Sequence, residues 1–236
     1  MPSAELRVTA DPRDLAERAN ENLAGAPAED VVRWAVQATR GQICVTSSMA
    51  DAVIVDIVSR AAPGIDVVFL DTGYHFAETI GTRDAVAAVY PVSVISVTPA
   101  QSVADQDHEL GPRLFERDPD LCCRLRKVEP LERVLAPYGG WITGIRRDET
   151  AARRDSQLVE WDSRRTMIKV NPIVDWSQDQ VDAYMAAHNV LVNPLVTQGY
   201  PSIGCAPCTR PAQRGQDPRS GRWAGTGKTE CGLHTR

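Results

Sequence analysis

The chain has 236 residues with 26 basic and 31 acidic side chains, a net charge of −5, 43% hydrophobic and 24% charged residues. That length and balance exclude disorder of the whole chain and predict one large globular domain or two small ones. The negative charge argues against nucleic acid as a partner, and no apolar run reaches the roughly 18 to 20 residues that a membrane helix needs, so no membrane association is expected.

The opening residues lack a basic segment followed by an apolar core, which predicts no secretory signal and a cytoplasmic location. In that reducing compartment, six cysteines point to metal binding or thiol chemistry rather than disulfides. Asp11 and Pro12 make a cap and first-turn pair ahead of a polar-rich helix from Leu15 to Leu23. Pro27 opens a second helix with Val31, Val32, Ala35 and Val36 on one stripe, and the two helices read as an N-terminal cap.

From Gln42 the pattern changes to strand, small-residue turn, helix. Ile43 to Val45 form a short apolar run ending in Thr46-Ser47-Ser48, with a helical stretch from Ala50 to Arg60. Val67 to Leu70 is a second buried strand, ending in Asp71-Thr72-Gly73 before a helix from Phe76 to Tyr90. Val92 to Val97 and Trp141 to Ile145 are a third and fourth strand. Strands separated by helix-sized segments predict an α/β fold, a mostly parallel sheet with helices on both faces and ligands at the carboxyl ends of the strands. Ser47-Ser48 and Asp71-Thr72-Gly73 fall at such ends. Ser177 and Gln180 form a capping box for a helix carrying Val181, Tyr184, Met185 and His188.

Cys122 and Cys123 are adjacent, and Cys205 and Cys208 form a C-x-x-C. Four thiolates can complete a zinc site or hold a [4Fe-4S] cluster. A contiguous pair is awkward around one small ion and easier on a cubane, where each sulfur meets its own iron, so one cluster per subunit is favoured over zinc. Asp118-Pro119 predicts a helix starting at the cysteine pair, which places Lys127 one turn beyond Cys123 on the same face, between the metal and any anion above it. Cys44, inside the first strand, reads as an inert buried hydrophobe.

The last thirty-two residues carry six Lys/Arg against Asp217 and Glu230, on a body that is otherwise acidic. Residues 1–208 are expected to form one α/β domain and 209–236 a flexible tail hinged at Gly221, Gly225 and Gly227. Cys231 near its end is the candidate nucleophile, with Lys228 and His234 favouring its thiolate and Glu230 opposing it.

The Cys-Cys pair, the C-x-x-C and the terminal Glu230-Cys231-Gly232-Leu233-His234, with Leu70-Asp71-Thr72-Gly73 and Gly144-Ile145-Arg146-Arg147, resemble the assimilatory adenosine 5′-phosphosulfate reductases, the iron-sulfur branch of the phosphoadenosine phosphosulfate reductase family. The resemblance runs from Gln42 to His234. It implies an adenine nucleotide α-hydrolase-like fold, with residues 1–208 as a nucleotide-binding domain, and reduction of adenosine 5′-phosphosulfate to sulfite and AMP in sulfate assimilation, with thioredoxin as reductant. It also implies Cys231, His234 and Lys127 as catalytic residues, and Cys122, Cys123, Cys205 and Cys208 as cluster ligands. The substrate-binding positions it implies are Ser47, Ser48, Leu70, Asp71, Thr72, Gly73, Gly144, Arg146, Arg153, Arg219 and Arg222. One departure stands out: the pyrophosphatase loop of related folds resembles S-G-G-x-D-S, whereas Ser47-Ser48-Met49-Ala50-Asp51-Ala52 lacks the paired glycines, which disfavours ATP cleavage. A reductase of the 3′-phosphorylated nucleotide and a zinc-stapled RNA-binding or thiolation protein are the alternatives. The pattern admits a homo-oligomer.

Overall fold

The computed structural model describes residues 11–213, 215 and 217–234. Strands β1 (Ile43–Thr46), β2 (Asp66–Leu70), β3 (Ser93–Val97), β4 (Gly140–Thr143), β5 (Val159–Asp162) and β6 (Met167–Val170) form one sheet in the order β3-β2-β1-β4-β6-β5. Every pairing is parallel except that of the edge strand β5 with β6. The order reverses at β1, whose neighbours are β2 on one side and β4 on the other. Such a reversal opens a crevice at the carboxyl ends of the two diverging strands, here Thr46 and Thr143.

Strand periodicity divides the core in two. Ile43, Val45, Val67, Phe69 and Ile142 point to one face, where they meet Val31, Val32 and Ala35 of α2 (Ala28–Ala38) and Val53, Ile57 and Val58 of α3 (Val53–Ala61). Val86 and Val181 join them there, from α4 (Ala77–Val89) and α9 (Gln178–His188). Cys44, Val68, Trp141 and Met167 point the other way, onto Leu131 and Leu135 of α8 (Glu129–Leu135). Alternate side chains facing two apolar layers is the arrangement a covered parallel sheet requires.

The N-terminal helices differ from the expected cap. Helix α1 (Pro12–Asn22), started by Asp11 accepting from the Arg13 amide at 2.9 Å, packs on β5, and α2 packs on α3, so both belong to the layer covering the sheet. The helix expected from Ala50 begins only at Val53, because Asp51 bridges Val192 and its carboxylate accepts from the Val53 amide at 3.0 Å. The β5–β6 hairpin and α5 (Val103–Leu110) were not among the expected elements. Short helices α6 (Leu114–Arg117) and α7 (Pro119–Cys123) lead to the cysteine pair. A π-helical turn, Arg124–Val128, then joins α7 to α8.

The start of the tail lies along the body. Thr209 bridges Arg222, the Trp223 amide donates to the Cys208 carbonyl at 2.9 Å, and Trp223 is buried. Gly221, expected as a hinge, instead sits where a Cβ would lie 2.0 Å from the Arg210 carbonyl oxygen. It is a close-approach glycine, and any side chain there would break the strand-like return.

Candidate active site

A cleft of about 320 Å3 opens at the β1/β4 switch point, a size that suits a small-molecule ligand. Ser47 and Ser48 follow β1 on one side, Gly144 and Arg146 follow β4, Leu70 ends β2, and the tail closes the top with Arg219, Arg222, Cys231, Leu233 and His234. Ser47 Oγ accepts from the Met49 amide at 3.3 Å, and Met49 adopts a left-handed φ of 59° that turns the chain sharply after the serines. Asn193 holds that turn from behind, its side-chain amide donating to the Met49 carbonyl at 3.0 Å.

The charge around the cleft is unbalanced in a specific way. Arg146 donates through Nη2 to Gln178 at 2.7 Å, but its buried Nη1 makes no hydrogen bond and has only an ion pair with Asp148 at 3.6 Å. The buried Nε atoms of Arg219 and Arg222 likewise make no hydrogen bond. Buried donors without acceptors are costly, about 1–3 kcal/mol each, so three of them around one cleft mark where an anion belongs.

Arg153 behaves differently. It donates from Nε and Nη2 to Glu230 at 2.9 and 3.1 Å and from Nη1 to Glu149 at 2.5 Å, while Thr150 adds a 2.9 Å hydrogen bond to Glu230. Burial alone would raise the Glu230 pKa, but Arg153 and Arg219 outweigh it and hold the carboxylate below its ordinary value. Arg153 therefore lines the cleft already neutralised, and Glu230 fastens the residue next to it, Cys231.

The π-turn carries Lys127 and Arg126 to different places. Arg126 is buried, donating to the Thr72 carbonyl at 2.5 Å and to Gln106 at 3.0 Å. Lys127 lines both the cleft and a pocket holding Cys122, Cys123, Cys205 and Cys208, as does Arg222. These two cations thus form the wall between the cysteines and the cleft. Burial opposes the Lys127 charge, but Cys205, Cys231 and Cys123 together outweigh it and hold the ammonium above its usual pKa. Burial lowers the pKa of Arg222, with Arg219 adding to the effect.

The four thiols fit a thiolate-bound metal group as a donor set. Burial pushes Cys122 up to about 12 and Cys123 up to about 11, and it also raises Cys208, so burial works against the thiolate forms that ligation needs. Only a strong local positive charge converts such groups to ligands. Among the described residues, no three Cys, His, Asp or Glu side chains converge as a single metal ion requires. The four sulfurs border one pocket and together offer a full set of thiolate ligands. Cys44 stands apart, buried in the second core layer, and burial pushes it up to about 12.

Asp71, Thr72 and Gly73 follow β2 but do not line the cleft. Asp71 accepts from the Gly73 amide at 3.1 Å and pairs with Arg83 at 3.6 Å, and Thr72 Oγ1 lies 3.3 Å from Cys205 Sγ. They brace the cysteine pocket. His75 does line the cleft, its Nε2 2.8 Å from the Leu70 carbonyl oxygen, and burial lowers its pKa. His234 stacks on Trp141 with ring centroids 5.6 Å apart and planes 3° apart. Burial, reinforced by Lys169 and Arg153, holds it well below its ordinary pKa, so the ring is neutral. Asp51, Glu149, Gln178 and Asp182 also line the cleft and were not predicted. Only Asp51 carried a signal, since it occupies the acidic place of the S-G-G-x-D-S pattern.

The family model of the phosphoadenosine phosphosulfate reductase domain matches residues 42–211. Curated relatives named adenosine 5′-phosphosulfate reductase are 58% identical in Streptomyces coelicolor, over 98% of each chain, and 56% identical in Mycolicibacterium smegmatis, over 94% of each. Among solved structures, a phosphoadenylyl-sulfate (PAPS) reductase from Candida auris in a phosphate complex is similar, with a TM-score of 0.72 and 29% identity over 85% of this chain and 98% of that one. An FMN adenylyltransferase from Candida glabrata, at 11% identity and a TM-score of 0.56 over 87% of this chain and 70% of its own, shares the fold alone.

Proposed function

This chain belongs to the phosphoadenosine phosphosulfate reductase family, and on that footing we propose that it is an adenosine 5′-phosphosulfate reductase of sulfate assimilation, producing sulfite and AMP in the cytoplasm. The observation that carries the reading is the set of buried donors without hydrogen bonds on Arg146, Arg219 and Arg222, three residues lining the cleft that also holds Cys231 and Lys127. Phosphosulfate brings two adjacent anionic groups, and these donors supply complementary charge where a leaving phosphate and a sulfonate develop it. The 58% and 56% identities to relatives named for the unphosphorylated nucleotide support that substrate over its 3′-phosphorylated form.

In the reaction, the Cys231 thiolate attacks the substrate sulfur, the bond from sulfur to the phosphate oxygen breaks, and AMP leaves with that electron pair. Cys231 then carries a thiosulfonate. A thiolate of thioredoxin attacks the Cys231 sulfur and releases sulfite; the second thioredoxin thiol resolves the mixed disulfide, which restores Cys231 and oxidises thioredoxin. Lys127 and Arg222, which border both the cleft and the cysteine pocket, would meet the sulfonate, and Arg146 after β4 would meet the phosphate; the poorly basic His234, stacked on Trp141, positions the tail rather than taking the Cys231 proton.

Cys122, Cys123, Cys205 and Cys208 are assigned as ligands of one [4Fe-4S] cluster. When bound, that group would tie the two cysteine pairs together, and its four thiolates would outweigh the charge of the iron-sulfide core, leaving a net negative charge that complements the Lys127 ammonium; the two electrons come from the thiols. The test is Cys231→Ser, which should still bind AMP while forming no sulfonated protein detectable by mass spectrometry. A sulfonate adduct on the serine variant would overturn the assignment of the nucleophile.

A further inference from the structure

Behind the Trp141–His234 stack lies a second cavity of about 400 Å3, between α1, the β5–β6 hairpin and the end of the tail. Arg13 and Glu17 line it from α1, Trp161, Arg165 and Lys169 from the hairpin, and His234 from the tail. None of the proposed chemistry uses it.

Its interior is built around buried cations. The side chains of Arg165 and Lys169 are 4% and 5% exposed, and both lie over the Trp141 ring, at 5.2 and 5.6 Å from its centroid. Each has one carboxylate: Arg165 Nη1 donates to Asp162 at 2.7 Å and Lys169 to Glu160 at 3.3 Å. That leaves Arg165 Nε and Nη2 buried with no partner, along with Trp141 Nε1 and His234 Nδ1. Nε and Nη2 share one edge of the guanidinium, a two-pronged donor matched to two oxygens of a single oxyanion. Of the three acids lining the cavity, Asp162 and Glu160 are engaged with Arg165 and Lys169 and Glu17 is exposed, against Arg13, Arg164, Arg165 and Lys169, so the balance is positive, and that field contributes to suppressing His234 protonation.

We propose that this cavity binds a small oxyanion on the Nε–Nη2 edge of Arg165 and that its occupancy favours the closed tail. The ligand class is a sulfur oxyanion or a small organic carboxylate, the latter with an apolar body against Trp161. The coupling follows from the wall: Trp141, Leu233 and His234 line both this cavity and the cleft. When the tail leaves, two of those three residues leave with it. A ligand that needs them binds the closed form better and by reciprocity stabilises it, which keeps Cys231 in the cleft.

The test uses the full chain and its tryptophan fluorescence, titrated with sodium sulfate, with sodium benzoate, and with sodium chloride at matched ionic strength. A saturable response to sulfate or benzoate but not chloride is expected, and which of the two responds identifies the source. Arg165→Lys keeps a cation for Asp162 but removes the two-pronged edge, and should weaken binding about ten-fold or more. Arg146→Ala, which alters the cleft without removing a contact to the tail, should leave the titration unchanged and so separates the two sites. A wild-type protein that responds no differently from chloride, or an Arg165→Lys variant that titrates like wild type, overturns the site. Saturating anion should also slow alkylation of Cys231 by iodoacetamide several-fold in wild type and not in Arg165→Lys; equal rates with and without anion in wild type overturn the coupling.

Discussion

Arg146 illustrates how much a single donor atom decides. Its Nη2 is committed to Gln178, while Nη1 has a 3.6 Å ion pair with Asp148 and no hydrogen bond, so Nη1 is the atom that can still donate to a ligand, and a buried charge-assisted hydrogen bond contributes about 1.5–3 kcal/mol. Arg146→Ala should therefore lower kcat/KM about 10- to 100-fold with the melting temperature little changed; steady-state kinetics with activity near wild type would remove it from the site. Arg153 looks equivalent in sequence and is not, because Glu230 and Glu149 occupy its guanidinium. The basic residues, the cysteine pairs and Cys231 were legible from residue type and spacing. The partners were not, since Glu230 reaches Arg153 across 77 positions of chain, and a charge in sequence carries no mark of what neutralises it in space.

At the scale of elements, the tail is held by a carboxylate rather than by apolar contact alone. Replacing Glu230 with Gln keeps the shape and removes the charge that Arg153, Arg219 and Thr150 converge on. The tail should then open more often, and iodoacetamide should alkylate Cys231 about ten-fold faster; an unchanged rate would mean that other contacts hold the tail. The pH dependence follows from the lowered Glu230 pKa. A carboxylate depressed in the folded state stabilises it fully above its ordinary value of 4.5 and loses that contribution as pH falls through the lower, folded value. The protection of the tail amides, their exchange rates taken relative to the intrinsic rates at the same pH, should accordingly stay constant from neutrality down to about that ordinary carboxylate range and fall only below it. The central strands were legible because Ile43 to Val45 and Val67 to Leu70 are short unbroken apolar runs ending in small polar residues, as strands covered on both faces require. The β5–β6 hairpin was not, because Glu160, Asp162 and Lys169 interrupt the apolar pattern, and pairing among these charges is what lets them be buried. Helix α5 escaped for a related reason: its only buried residue is Gln106, which holds Arg126.

For the whole molecule, the architecture brings together segments far apart in the chain: β1, β4, the cysteine pair after α7 and the tail meet around one cleft and its adjoining pocket. Anaerobically purified protein should be brown and hold about four irons per chain with little zinc; colourless protein with about one zinc would refute the cluster assignment. No helix among the described residues is long and apolar enough to cross a membrane. The fold class followed from the strand-and-helix rhythm, whereas the π-turn at Arg124–Val128 had no sequence signature. That turn bears on how this protein can change over evolutionary time. A π-helical turn holds more chain than an α-helical one spanning the same length, so it is a place where a residue can be gained or lost while the helices on either side keep their phase. Losing one would tidy the backbone and leave Leu131 and Leu135 packed under the sheet, yet it would swing the side chains within the turn by about 100° each. Lys127 would leave the wall. The less regular helix is the version that carries the function, and a search for stability alone would erase it.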